Sequence, residues 1–311
     1  MPAAQYELTF PLVPRRRLIG LAFGTVRSVR RGPGSDIASS RPYRAGDDVD
    51  AIDWRASAKI SSARGTDEFI VRERFAEEAP RVVVFCDRRP EMALYPAGLP
   101  WLSKPVAMLE AGKLIADSTA KARGLVGYLD FAHGDAEPFW RPPHSQQDFW
   151  RVKESHLRYS VYEAQPDNLT RGFEHLAASR RSLPPGSFVF VLSDFLRPPA
   201  ADAWTQVTDL PWEIVPVVIQ DPTWEQSFPP VSSVVVPLAD ARTGRLRPVR
   251  LSRREARRRR HDNEDRLERL VDGLRSFGLE PLLVASTDRD EIYSQFLAWA
   301  DLRRHQLVGP W

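Results

Sequence analysis

The chain has 311 residues, 44 basic and 41 acidic side chains and a formal net charge of +3, and its cations are 39 arginines against 5 lysines. A total charge so near zero excludes a protein that coats polyanions over its whole surface, so any nucleic-acid contact must be local. The single cysteine, Cys86, excludes an intrachain disulfide and any C-x-x-C metal or redox motif, and points to a reducing compartment. The length allows about two domains or one elaborated α/β domain. Residues Met1–Arg17 lack an apolar signal region, and no apolar run approaches the ~18–20 residues of a bilayer span. A cytoplasmic protein without a membrane partner is expected.

In chain order, residues 1–80 read as a charged, loop-rich extension with one strand, Phe69–Phe75. Val82–Cys86 is a continuous apolar run ending in Asp87, as in a strand buried on both faces. A helix follows, with Pro105 in its first turn, apolar positions Met108, Ala111, Ile115 and Ala122, and Gly124 at its end. Leu125–Phe131 reads as a second strand and His144–Tyr159 as a helix. Leu169, Phe173 and Leu176 mark another helix, Phe188–Leu192 a strand ending at Ser193-Asp194, Ala200–Thr208 a helix and Ile214–Ile219 a strand ending at Gln220-Asp221. Val231–Pro237 and Leu246–Leu251 form an antiparallel pair. Ser252–Ser276 reads as a long helix, Leu279–Ala285 as the last strand and Arg289–Arg303 as the last helix. Strands alternating with helices predict an α/β domain over 81–311 with a mostly parallel sheet and a β-hairpin insertion near 231–251.

Ligands of open α/β sheets bind outside the carboxyl ends of the strands, where Asp87, Asp194 and Asp221 fall. Carboxylates there can hold magnesium or cap the next helix. Asp47, Asp48, Asp50 and Asp53 form an acidic cluster that reads as a metal site or as a salt-bridged turn. Trp54 reads as a core anchor or a partner contact. Residues 242–275 hold 13 arginines and 6 acids, a local excess of 13 − 6 = +7. On one helix, the pairs Arg258–Asp262, Arg260–Glu264 and Asp265–Arg269 are expected. No G-x-S-x-G, H-E-x-x-H or phosphate-loop motif occurs.

The blocks Arg41-Pro42-Tyr43-Arg44-Ala45-Gly46-Asp47-Asp48 and Ile52-Asp53-Trp54-Arg55-Ala56-Ser57-Ala58-Lys59, followed by the strand ending in Asp87 and by Ser193-Asp194-Phe195, resemble the DUF58 family. The resemblance implies a doubly wound, mostly parallel sheet, von Willebrand factor A-like and Rossmann-like, with an N-terminal loop and β-rich extension. It also implies a metal-ion-dependent adhesion site, D-x-S-x-S. Here that motif reads Asp87-Arg88-Arg89-Pro90-Glu91, with Thr170 in the distal threonine position and Asp194 as the second aspartate. Arginine has no acceptor atom and cannot coordinate a cation. Arg89 is therefore expected to stand in the cation's place between Asp87 and Asp194, which would be the ligands of any magnesium bound there. The resemblance implies a non-enzymatic protein-interaction module, an adaptor or co-chaperone for a MoxR-type AAA+ ATPase, contacting its partner around Asp87, Arg89, Glu91 and Asp194. The alternatives are a metal-dependent hydrolase or nuclease using the aspartates, and nucleic-acid binding through residues 253–260.

Overall fold

The computed structural model describes residues 8–14, 26–31, 37–43, 52–65, 68–94, 102–132, 137–145, 161–240, 243 and 245–307. In chain order these form β1 (Val26–Arg31), β2 (Ile37–Pro42), α1 (Trp54–Arg64), β3 (Ile70–Glu78), β4 (Arg81–Cys86), α2 (Lys104–Lys121), β5 (Leu125–Asp130) and β6 (Phe139–Ser145). Then come α3 (Asn168–Ala178), β7 (Phe188–Ser193), α4 (Ala201–Thr208), β8 (Glu213–Ile219), β9 (Val234–Ala239), β10 (Leu246–Leu251), α5 (Arg253–Ser276), β11 (Leu282–Val284) and α6 (Arg289–Leu307).

Six strands make the main sheet in the order β11-β8-β7-β4-β5-β6, all parallel except β6, which runs antiparallel to β5. The central strands are continuous apolar runs because both faces are covered. Val82, Val84, Phe190 and Val217 share one core with Met108 of α2 and Phe296 of α6. Val83, Phe85, Val191 and Val218 face the other way, into a second core with Phe173 of α3, Trp204 of α4 and Leu274 of α5. The mixed α/β expectation thus holds, with a mostly parallel sheet and six α-helices among the described residues.

Several elements escaped the sequence reading. The helix expected over His144–Tyr159 starts instead as the end of β6, and residues 146–159 lie outside the described residues. Pro142 and Pro143 mask that strand in the sequence, and they are tolerated because β6 is the last strand of the sheet. α1 was read as loop because it has no apolar stripe: Ser57 is its buried residue. Together β1, β3 and β2 form a separate three-stranded antiparallel sheet, in that order. Within the span 1–80, Phe10 joins the first core of the main sheet, its ring centroid 4.5 Å from that of Phe296.

Helix α3 crosses β4 so closely that a Cβ at Gly172 would overlap the Phe85 ring. Gly172→Ala should therefore destabilise the protein by about 1–3 kcal/mol, although alanine is the better helix former, because overpacking outweighs the propensity gain. Urea denaturation of Gly172→Ala alone and with Phe85→Leu checks this. A destabilised single variant with partial recovery in the double is the expected outcome.

Candidate functional site

The strand order reverses between β4 and β7: the chain leaves β4 toward β5 on one side and β7 toward β8 on the other. Crevices at such points are the usual ligand sites of α/β sheets. Asp87 follows β4 and Asp194 follows β7, and the Asp87 backbone N–H donates to the Leu192 carbonyl at 2.9 Å. Adjacent strands thus bring both carboxylates to one place, as their sequence positions suggested.

Arg89 fills the space between them. Its Nε donates to Asp87 Oδ1 at 3.0 Å and Oδ2 at 2.9 Å, and Nη2 reaches Asp87 Oδ2 at 2.5 Å and Asp194 Oδ1 at 3.2 Å. Ser193 Oγ donates to Asp87 Oδ2 at 2.6 Å and Asn168 Nδ2 to Asp87 Oδ1 at 2.9 Å. On the far side, Lys104 Nζ lies 2.8 Å from Asp194 Oδ2 and 2.5 Å from Glu225 Oε1. Asp87, Arg89, Lys104 and Asp194 are all at most 1% exposed. The result is a buried chain of alternating charge, Asp87, Arg89, Asp194, Lys104 and Glu225.

Burial alone would push the Asp87 carboxyl up, but the Arg89 charge, with hydrogen bonds from Arg89, Ser193 and Asn168, holds it below the usual carboxylate range. Burial opposes the charge on Arg89 and Lys104, yet Asp87 and Asp194 hold Arg89 above its ordinary value, and Asp194 and Glu225 do the same for Lys104. At the end of the chain, burial pushes the Glu225 carboxyl up against the pull of Lys104.

Every carboxylate oxygen of Asp87 and Asp194 already accepts a donor, two of these donors being fixed cations. A magnesium ion needs those oxygens free and no cation among them, so the residues in this arrangement do not fit one. Neither can Asp87, Arg89 and Asp194 meet a partner directly, because they are buried; this corrects the expectation that they form the contact surface. Glu91 sits nearer the rim, 3.8 Å from the exposed Arg197. Thr170 forms no hydrogen bond with the cluster among the described residues, and the polar contribution from α3 comes from Asn168 instead.

Lys104, Glu225 and Asn168 were missed, although Lys104 left a signal. It is the first residue of α2, where the helix dipole disfavours a cation unless a carboxylate answers it. Asp221, the third strand-end aspartate, is structural: Oδ1 accepts the Thr223 and Trp224 N–H groups and Oδ2 that of Leu102, each at 2.8 Å. Arg88 is buried as well. It is 1% exposed, with Nε 4.0 Å from Asp130 Oδ2 and its guanidinium carbon 4.2 Å from the Tyr162 ring centroid.

Of the N-terminal blocks, Gly46, Asp47, Asp48 and Asp50 lie outside the described residues. Arg41 and Pro42 end β2, and Ile52 forms an isolated bridge to Val71. Asp53 caps α1, its Oδ1 accepting the Ala56 N–H at 3.1 Å. Ser57 Oγ donates to the Asp53 carbonyl at 2.7 Å and accepts the Ile70 N–H at 2.8 Å, tying the helix to β3. Trp54, read as a core anchor or a partner contact, is 60% exposed and meets the 45%-exposed Phe69 edge to face, with Tyr43 beside Phe69. The arginine pairs expected along α5 also differ: Arg258 and Arg259 both pair with Glu255, and Arg260 donates to the Phe228 carbonyl.

A mostly parallel α/β sheet whose switch-point carboxylates are neutralised from within defines the class. The chain belongs to the DUF58 family, proteins of unknown function, which matches residues 39–269. No curated protein matches the sequence. Similar solved structures include the conserved hypothetical protein BatB from Bacteroides thetaiotaomicron, at 14% identity and TM-score 0.41, covering 71% of this chain and 99% of that one. An aerotolerance-related membrane protein from Bacteroides fragilis is 13% identical with TM-score 0.41, covering 70% and 98% of the two chains. An uncharacterized membrane spanning protein from Vibrio fischeri is 14% identical with TM-score 0.21, covering 70% and 96%. Likenesses this weak carry no functional argument. Among the described residues of this chain, no helix is long and apolar enough to cross a membrane.

Proposed function

We propose that the chain is a non-enzymatic protein-interaction module of the doubly wound, von Willebrand factor A-like kind, serving in the cytoplasm as an adaptor or co-chaperone of a MoxR-type AAA+ ATPase. In this reading its adhesion site is degenerate, with the Arg89 guanidinium in the cation's place. The observation that carries it is where the family-block side chains point. Tyr43 and Trp54 stand with Phe69 as an aromatic group at 36%, 60% and 45% exposure, the residue types that anchor protein interfaces. The strand-end aspartates, by contrast, are saturated with donors and shut from solvent, which suits a structural lock better than acid–base chemistry. Asp53 spends its side chain on a helix cap, which weakens the hydrolase reading.

Calorimetric titration of the protein with a purified MoxR-type ATPase tests this. Trp54→Ala should weaken binding by about tenfold or more, the scale of an aromatic hot spot, while leaving the melting temperature near wild type because the side chain is exposed. Absence of binding by the wild type, or metal-dependent hydrolysis of phosphoesters by the purified protein, would overturn the reading.

A further inference from the structure

Helix α5 divides its charge between its two halves. Arg253, Arg257 and His261 stand on the first half and Glu264, Glu268 and Asp272 on the second, all six exposed. Spacings of three and four residues put them on one face of the helix, ~30 Å from end to end. A different side is fixed to the body of the protein. Ala256 and Leu274 are buried there, Asn263 Nδ2 donates to the Trp224 carbonyl at 3.1 Å and Arg266 Nη2 to the Glu225 carbonyl at 2.6 Å.

Within one copy the charged face does not neutralise itself. The helical neighbours of Arg257, three and four residues away, are Arg253, Arg254, Arg260 and His261, and those of Glu268 are Glu264, Asp265, Val271 and Asp272. Like charges at such spacings destabilise a helix. Among the described residues, no ion pair joins Arg253, Arg257 or Glu268 to another side chain. Asp272 meets Arg275 at 3.6 Å, an exposed pair of little weight.

The two halves complement one another. Taken symmetrically about the midpoint between Asp262 and Asn263, Arg253 exchanges with Asp272, Arg257 with Glu268, His261 with Glu264 and Arg254 with Val271. The like-charged exchange, Arg259 with Arg266, falls off this face. In a two-fold interface, residue i of one copy meets residue j of the other and j meets i. Two α5 helices laid antiparallel with these faces together therefore set a carboxylate opposite each of Arg253, Arg257 and His261, twice over. The arginine stems have apolar surface to lie on, since Leu267, Val271 and Leu283 line the recess that also holds Glu264, Glu268 and Asp272.

We propose that the chain forms a two-fold symmetric dimer with a second copy of itself through the exposed face of α5, the helices antiparallel and centred between Asp262 and Asn263. A nucleic-acid strand would answer the arginines but would meet three carboxylates on the same face, whereas a second copy answers both halves. One helix pair buries less than the ~1,200 Å² of a standard interface, so the dimer is weak, in the micromolar range, and loosens with salt. The surface is separate from the Tyr43, Trp54 and Phe69 group and does not depend on the ATPase reading.

Sedimentation velocity of the full chain over about 1–100 μM tests this. At about 50 mM salt the wild type should dimerise reversibly, and about 500 mM salt should weaken the dimer at least about tenfold. Arg257→Glu and Glu268→Arg should each weaken it about tenfold or more, because each sets like charges opposite one another at two places in the dimer. Neither should lower the melting temperature, since both side chains are exposed and each change relieves like-charged neighbours on its own helix. An equimolar mixture of the two variants should recover dimers near wild-type affinity, because each then carries the charge the other needs. The Arg257→Glu/Glu268→Arg double variant should do the same. A wild type that stays monomeric at low salt, single reversals that dimerise as well as the wild type, or a mixture that stays monomeric would each overturn the proposal. Loss of the dimer in Trp54→Ala would also overturn it, by placing self-association on the aromatic group.

Discussion

Replacing Arg89 with methionine should lower the free energy of unfolding by about 3–5 kcal/mol, because it leaves the buried Asp87 carboxylate without a counter-charge. Asp87 would keep Ser193 and Asn168 as side-chain donors, and Asp194 would keep Lys104, but the charge balancing Asp87 would be gone. Arg89→Lys should fall between wild type and methionine. It retains the charge but loses the planar fork that reaches both carboxylates at once. Adding Asp87→Asn to Arg89→Met should recover part of the loss, since a neutral amide tolerates burial without a counter-charge. Urea denaturation followed by circular dichroism measures all four proteins. The Asp87 carboxyl is held below its ordinary value, so its contribution is present above about pH 4, near the unfolded pKa, and is lost as pH falls through the folded pKa. That acid limb should shrink in Asp87→Asn. Magnesium added at millimolar concentration should not raise the melting temperature, whereas a ligand bound to the native state would. An Arg89→Met protein as stable as wild type, or a rise in melting temperature with magnesium, would show that the guanidinium does not hold the cation's place.

What could be read beforehand follows from what is local. The central strands were legible because burial on both faces leaves continuous apolar runs, and each run ends at a polar boundary, which placed Asp87, Asp194 and Asp221 at one edge. The Asp87–Arg89 pairing was legible because the residues are two apart and arginine cannot be a metal ligand. Lys104 was not, since its partners Asp194 and Glu225 are far along the chain and nothing in local periodicity joins them. Trp54 stayed open between two readings for a related reason: a tryptophan between charges suits a core anchor or a partner contact, and it is the fold that leaves it beside Phe69 at the surface. The preference for arginine over lysine also has a structural side. Arg88, Arg89 and Arg303 are among the largest fully buried side chains. Arg303 reaches Glu213 at 3.0 Å and Glu280 at 3.2 Å from different nitrogens, a geometry that a fork offers and an ammonium does not.

Lys104→Met should have an effect of similar size, a loss of about 3–5 kcal/mol, with a pH dependence of the opposite sign to that of Asp87. The wild-type ammonium sits between Asp194 and Glu225, and its removal leaves two like charges buried near one another. The cheapest relief is a proton on Glu225, whose carboxyl burial already pushes up and which would lose the lysine that opposes the shift. A carboxyl with a raised folded pKa contributes stability below its unfolded value, about 4.3, and loses it as pH rises through the folded value. The variant should therefore be most stable in mild acid and weaken toward neutrality. In the wild type, the raised Lys104 value predicts stability that persists below the unfolded pKa of about 10.4 and is lost as pH rises through the folded one. Glu225→Gln in the Lys104→Met background removes the group that would take up the proton. It should restore a substantial part of the stability at neutral pH and flatten the profile between about pH 4 and 8. If the single and double variants unfold at the same urea concentration throughout that range, Glu225 is not coupled to Lys104, and the buried cluster ends at Lys104.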